Sequence, residues 1–324
     1  MKIIRSTRIF LHLIMLTLVT TLWPAAAFAE TSSNDIAAKL SALNWVEGSG
    51  QTIEMGDGLA ELKLNEGFLF LNSTDARSYQ TITGGMPSNK EIGVVFPEDE
   101  NQLWAVYFEY EETGHISEKE KDKIDAKKLL KSYQDGTEES NKSLSEENRL
   151  YVDGWDTPPF YDEKTHNLSW SLLARDGMGN KLINYNSRIL TRVGVVSVIL
   201  VSDPDNLEAD RKVMEEQVLS AFSLKEGHRY DDFDPSTDKK AEYGLSGLIL
   251  GGAGVMAAKK LGLLSALLLF LKKFWIVVIA GIGALWGLFK RFLGKKETAE
   301  EAGGSSSADA SLDPNSDQRE DRPL

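Results

Sequence analysis

The chain has 324 residues, no cysteine and a formal net charge of −13. Without cysteine there is no disulfide framework, no thiolate nucleophile and no cysteine metal site, so the fold must be held by its core. The charge is uneven: residues 1–29 carry +3, 244–296 carry +8 and 297–324 carry −6, which leaves −18 on residues 30–243 and argues against nucleic acid or anionic lipid headgroups as partners of that part.

At the start, Lys2, Arg5 and Arg8 precede an apolar run from Ile9 to Trp23 and then the small-residue site Ala27-Phe28-Ala29. This is the pattern of a secretory signal peptide over residues 1–29, with Glu30 opening the mature chain. An uncleaved anchor is the alternative. Export predicts a main domain outside the cytoplasm.

Residues 30–227 read as an α+β domain: an antiparallel sheet layered with helices. Short apolar runs bounded by turn residues predict strands at Gly67–Leu71, Ile92–Phe96, Leu103–Tyr110, Leu168–Ala174, Lys181–Leu190 and Val195–Val201. In the fifth, Ile183, Tyr185 and Ile189 alternate with Asn184, Asn186 and Arg188, as expected for a sheet with one wet face. The stretch Ala174–Lys181 is a hairpin connection. Ser117 followed by Glu120 has capping-box spacing, and Ala126, Leu129, Leu130 and Tyr133 mark the apolar face of the helix that follows. Asp203-Pro204 opens a second helix with Leu207, Val213, Met214, Val218, Ala221 and Phe222 on one face. This order of elements is similar to that of Mog1/PsbP-like domains, a likeness of pattern that implies a fold and no function.

Two stretches are dense in chemistry. In GWDTPPFYDEKTHNLSW, Trp155, Pro158, Pro159, Phe160, Tyr161 and His166 form a stiff aromatic turn suited either to binding or to covering a core edge. The stretch GHRYDDFDPSTDKKAEYG contains His228, Tyr230, Asp231, Asp232, Phe233 and Asp234. Its alternating acids resemble the start of a calcium loop, but Thr237 stands where glycine is required and Tyr243 where the closing acid belongs. One histidine among acids specifies no transition-metal geometry, so no metal and no cofactor is predicted. Residues 228–243 read instead as an acidic juxtamembrane strap, with Tyr230 and Phe233 packing back on the domain.

From Gly244 to Lys296 there is no carboxylate, and paired lysines interrupt otherwise apolar text. This predicts a membrane-anchoring region, either a single span over Phe274–Leu293 or a helical hairpin turning at Lys272-Lys273. Gly247 with Gly251, and Gly283 with Gly287, are spaced for close helix packing and for homo-oligomers through these faces. Residues 297–324 read as an acidic disordered tail.

No GxSxG, HExxH, phosphate-loop or GxGxxG motif occurs, and the histidines of the exported part, His115, His166 and His228, lie in polar loops. The leading expectation is a non-enzymatic, membrane-anchored extracytoplasmic module that binds a protein or envelope component. The alternative is a ligand-sensing or hydrolytic domain using His166 or His228 with nearby carboxylates.

The two dense stretches, together with NYNSRILTRVGVVSV (Asn184–Val198) and DARSYQTITGGMPSNKEIGVVFPE (Asp75–Glu98), ahead of a glycine-rich apolar tail, resemble a bacterial membrane-anchored family catalogued as domain of unknown function 2167. The likeness covers nearly all of residues 40–296. The chain departs from it at Gly84-Gly85-Met86-Pro87-Ser88, where the family carries a Trp-Gly-Asn-Pro-Pro turn. The resemblance implies an exported domain with a C-terminal anchor and supplies no catalytic residue.

Overall fold

A computed structural model describes residues 35–251, except 86 and 100. The predicted signal peptide, the part of the predicted membrane-anchoring region beyond Gly251 and the predicted acidic tail lie outside the described residues. Among the described residues no helix is long and apolar enough to cross a membrane.

The chain forms helix α1 (35–41), then strands β1 (Val46–Glu47), β2 (Gln51–Met55), β3 (Ala60–Leu64) and β4 (Phe68–Asn72). Helix α2 (Ser73–Ile82) leads to β5 (Glu91–Pro97) and β6 (Ala105–Glu111), and α3 (Ala126–Asn141) to β7 (Leu150–Asp162), β8 (Asn167–Asp176), β9 (Lys181–Leu190) and β10 (Val195–Val201). Helix α4 (Leu207–Val213) widens into a π turn over Met214–Val218, tightens into a 3-10 turn over Leu219–Ala221 and runs into β11 (Phe222–Leu224). A short helix, α5 (Leu245–Ile249), follows.

Eight strands form one antiparallel sheet in the order β1-β4-β5-β6-β10-β9-β8-β7, and β11-β3-β2 form a second. The fold is therefore α+β, an antiparallel sheet layered with helices, as the strand pattern predicts. Every residue of β5 is buried, whereas β9 and β10 alternate between buried and half-exposed positions. The difference follows from what covers each face.

Register sorts the faces. Val95, Val106, Leu200 and Tyr185 line one side; Val94, Tyr107, Ile199, Asn186 and Trp170 line the other. The first side packs on the small sheet and α4, with Phe108 stacked on Phe222 at 5.3 Å. Gly93 lies under the Phe70 ring, where a Cβ would stand 2.5 Å from Cε2, so this position admits only glycine without repacking. On the second side α2 covers the β4–β5 end through Tyr79 on Phe96, at 4.9 Å. The β7–β9 end carries a separate core of Ile116, Leu129, Leu168, Trp170, Leu190 and Tyr230 with Leu245, Leu248 and Ile249 of α5.

Three local expectations are corrected. Ser117 and Glu120 do not open α3: a 3-10 turn (Lys121–Lys123) intervenes, and Asp125 is the N-cap, accepting from the Lys128 amide at 2.9 Å. Capping-box spacing is met, but Ser117 Oγ accepts from the Lys119 amide and the Glu120 carboxylate from the Ser246 amide, so the two do not cap a helix between them. Phe222 belongs to β11, because the backbone turns extended where it pairs with Leu62. The stretch around Pro158-Pro159 is a strand, not a turn. As the last strand of the sheet β7 pairs only with β8, and an edge strand tolerates both missing amides and three register shifts.

Candidate functional site

The β7–β8 hairpin divides the aromatic residues between two duties. Trp155 donates its indole N–H to the Ala126 carbonyl at 2.9 Å and meets Tyr133 edge-on at 5.8 Å, which seals the start of α3. Pro158 and Phe160 point to water, Phe160 with 48% of its surface exposed, while Pro159 is half-buried. Tyr161 turns inward.

Tyr161 donates to Glu118 Oε2 at 2.6 Å, and its hydroxyl lies 3.1 Å from His166 Nδ1. Glu118 Oε2 is also 3.4 Å from that nitrogen, while His166 Nε2 faces Asp231 Oδ1 at 3.7 Å. His166 holds a left-handed backbone, φ 54°, which lets the hairpin close and aims the imidazole at the carboxylates. Burial alone would raise the Glu118 carboxyl, but the Tyr161 hydrogen bond and His166 hold it below its ordinary 4.5. Burial, and then the acceptor Glu118, push the Tyr161 phenol far up, so it stays a donor.

A column of rings continues from this triad. His166 lies 4.5 Å from Tyr230, Tyr230 is 4.4 Å from His115, and His115 is 3.8 Å from Phe233. Tyr230 donates to the Ile116 carbonyl at 2.9 Å. His115 Nδ1 is 3.1 Å from the Arg192 carbonyl, and burial pushes the His115 pKa below 6.5.

Residues 228–243 are thus folded onto the domain. Arg192, in the β9–β10 turn, pairs twice with Asp238, through Nε at 2.7 Å and Nη2 at 3.0 Å. The backbone of His115 bonds to Lys239 and Ala241 at 2.8 and 2.9 Å. Gly114 permits this approach: its φ is +89°, and a Cβ would stand 2.7 Å from the Lys240 carbonyl carbon. Asp234 turns the chain by accepting from the Ser236 amide and hydroxyl at 2.8 and 2.6 Å. Asp232 accepts from the Gly227 and Arg229 amides, each at 2.9 Å. The Glu120 carboxylate then accepts from the Ser246 amide at 2.8 Å, and the Tyr133 hydroxyl donates to the Ile249 carbonyl.

The structure brings Tyr161, His166, Tyr230, Asp231 and Phe233 together. His228 enters through its carbonyl, which accepts from the Arg192 amide at 2.9 Å. Gly247 lies in α5 against Tyr243, and Gly251 follows it with φ +106°; Gly283 and Gly287 lie outside the described residues. Sequence reasoning passed over Glu118 and Arg192, weighed Asp238 only among the alternating acids of a calcium loop, and left His115 in a polar loop. No local spacing marks their partners, since Glu118 meets Tyr161 at a separation of 43 positions and Arg192 meets Asp238 at 46. Among the described residues no group of three or more His, Asp or Glu is arranged to hold a metal ion.

Residues 47–283 match the model of the family described as "Protein of unknown function (DUF2167)". No curated protein matches the chain. Among solved structures, the solution structure of cyanobacterial PsbP (CyanoP) from Synechocystis sp. PCC 6803 is similar at 12% identity and a TM-score of 0.33, over 55% of this chain and 95% of that one.

Proposed function

The chain belongs to the DUF2167 family, and on that premise we propose that it is a membrane-anchored extracytoplasmic module, non-enzymatic, that binds a protein or envelope component through the outer half of β7. The observation that carries the reading is the split within one strand. Trp155 and Tyr161 are tied into the core, while Pro158 and Phe160 between them face outward. A large aromatic held rigidly in water beside prolines loses little side-chain entropy on docking, which is the character of an interface anchor.

Anchoring rests on the carboxylate-free, lysine-punctuated text of residues 244–296. The segment entering that text is clamped to the domain by Asp238, Ser246 and Ile249.

The test is photocrosslinking from position 160 of the full-length chain in its native membranes. A discrete adduct, lost in Pro158→Ser, supports the reading; labelling indistinguishable from that at the Met178 loop tip overturns it. Release of the chain by alkaline carbonate would overturn the anchor.

A second reading, a ligand-sensing or hydrolytic centre at His166, is favoured by the Glu118–Tyr161–His166 contacts. It requires His166→Gln to abolish function while the position-160 adduct persists.

A further inference from the structure

The face of the sheet shared by α2 and α3 carries a strip of polar, half-exposed residues between them. It comprises Asn184, Asn186 and Arg188 of β9, with Ser197 and Ile199 of β10 and Glu109 of β6, although on the opposite face Ile183, Tyr185, Ser187 and Ile189 of β9 and Val196, Val198 and Leu200 of β10 are buried. This is the wet face that the alternation in β9 predicts. Polar residues on the covered side of a sheet, flanked by two apolar helix contacts, need a reason.

Four charged or hydroxyl residues lie in one row across the strands: Glu91 pairs with Glu109, Glu109 with Ser197, and Ser197 with Arg188. The Arg188 guanidinium stacks over the Trp170 ring at 5.2 Å. Among the described residues it forms no ion pair and no hydrogen bond, and its Nη1 is sealed from solvent. At the other end the Ser88 hydroxyl lies 3.0 Å from Glu109 Oε1 and 3.1 Å from Glu91 Oε1, its single proton shared between them, and the Ser88 amide donates to Glu91 Oε1. Glu91 is 2% exposed, and its Oε2 is buried without a partner.

The two ends do not close on each other. Arg188 and Glu109 are separated by β10, two interstrand spacings or about 10 Å at the backbone. Burial raises the Glu109 pKa and lowers that of Arg188, and each ion only partly offsets the cost to the other. A simple anion entering for Arg188 meets two carboxylates, and a simple cation entering for Glu109 meets the guanidinium. A molecule with a negative and a positive end satisfies both at once.

We propose that this strip is a binding site for a small zwitterion of the amino-acid or dipeptide type, its carboxylate on Arg188 and its ammonium on Glu109 and Glu91, lying over Ser197. Arginine offers a carboxylate two parallel N–H donors, and its stacking on Trp170 presets the plane of that fork. The site shares no residue with the β7 surface or the His166 cluster, so it stands or falls independently of them.

The test is calorimetric titration of the full-length chain in mild detergent with glycine, β-alanine, 4-aminobutyrate and Ala-Ala, against acetate and methylamine as single-charge controls. At least one zwitterion should bind ten or more times tighter than either control. Arg188→Gln and Glu109→Gln should each weaken it at least tenfold. Ser197→Leu sets a bulky apolar side chain between the two charged ends while leaving both charges in place, and should abolish binding with the far-ultraviolet dichroism unchanged, which keeps the test decisive if a charge variant unfolds. Acetate binding as tightly as the zwitterions would overturn the proposal in favour of a plain anion site. So would undetectable binding of all four zwitterions, which would leave water as the partner of these groups.

Discussion

Arg192 and Asp238 meet at two points, Nε to Oδ2 at 2.7 Å and Nη2 to Oδ1 at 3.0 Å, and so fasten the β9–β10 turn to the segment that leads toward the apolar region. The hydrogen bond from Arg192 holds the Asp238 carboxyl at about 2, down from 3.8. A carboxylate depressed on folding contributes its stability above the unfolded pKa and loses it as pH falls through the folded one. Amide protection over residues 228–243 should therefore hold at about pH 5 and decline between about pH 4 and about pH 2. Asp238→Asn should remove that acid step; hydrogen exchange of the two chains side by side checks it.

His115 behaves oppositely to a histidine that gains an acid. Burial lowers its folded pKa, so the unfolded chain binds the extra proton and stability drops as pH falls from about 6.5 toward the folded value. The melting temperature should fall between about pH 7.5 and about pH 5. In His115→Phe, which keeps the stack on Tyr230 and Phe233, that slope should be shallower.

Gly114→Ala tests the seam itself. The new Cβ would collide with the Lys240 backbone and hold an unfavourable positive φ. A loss of about 1–3 kcal/mol in urea unfolding is expected, together with early proteolysis within residues 234–243. Unaltered protease resistance would mean that the seam does not secure this segment.

Tyr230→Phe removes one hydroxyl and leaves the buried Ile116 carbonyl without its donor, a cost of about 1 kcal/mol. Tyr230→Ala also breaks the ring column and should cost about 3–5 kcal/mol. Chemical denaturation separates the two.

Tyr161→Phe should raise the Glu118 pKa, since a donor to the carboxylate is lost while its burial remains. A carbon-detected titration of the Glu118 side chain reads the shift. A fixed value would show that His166 and Lys121, without Tyr161, set this carboxylate.

The paired strands of the sheet were largely readable from residue order. β9 and β10 have the very bounds that the apolar runs suggest, because a strand buried on one face must repeat every second residue. β7 was hidden, since an edge strand answers to one neighbour only and admits proline, glycine and charge. Helix α2 was hidden too: its buried residues are Asp75, Ala76, Tyr79 and Gln80, which give no apolar stripe, and it starts because the Asn72 side chain accepts from the Thr74 and Asp75 amides at 2.9 and 3.0 Å.

Residue order was enough for the antiparallel layered fold, for the absence of a cysteine framework and for the wet face of β9, because these follow from composition and from periods of two or three and a half residues. It could not assign partners. His115, Glu118, His166 and Tyr230 converge, as do Glu91, Glu109 and Arg188, only once strand order sets distant segments side by side. Nor could it tell a loose acidic strap from a clamped one, since that depends on Arg192 reaching Asp238 across 46 positions of chain. Contacts of that separation arise from topology, which no local period encodes.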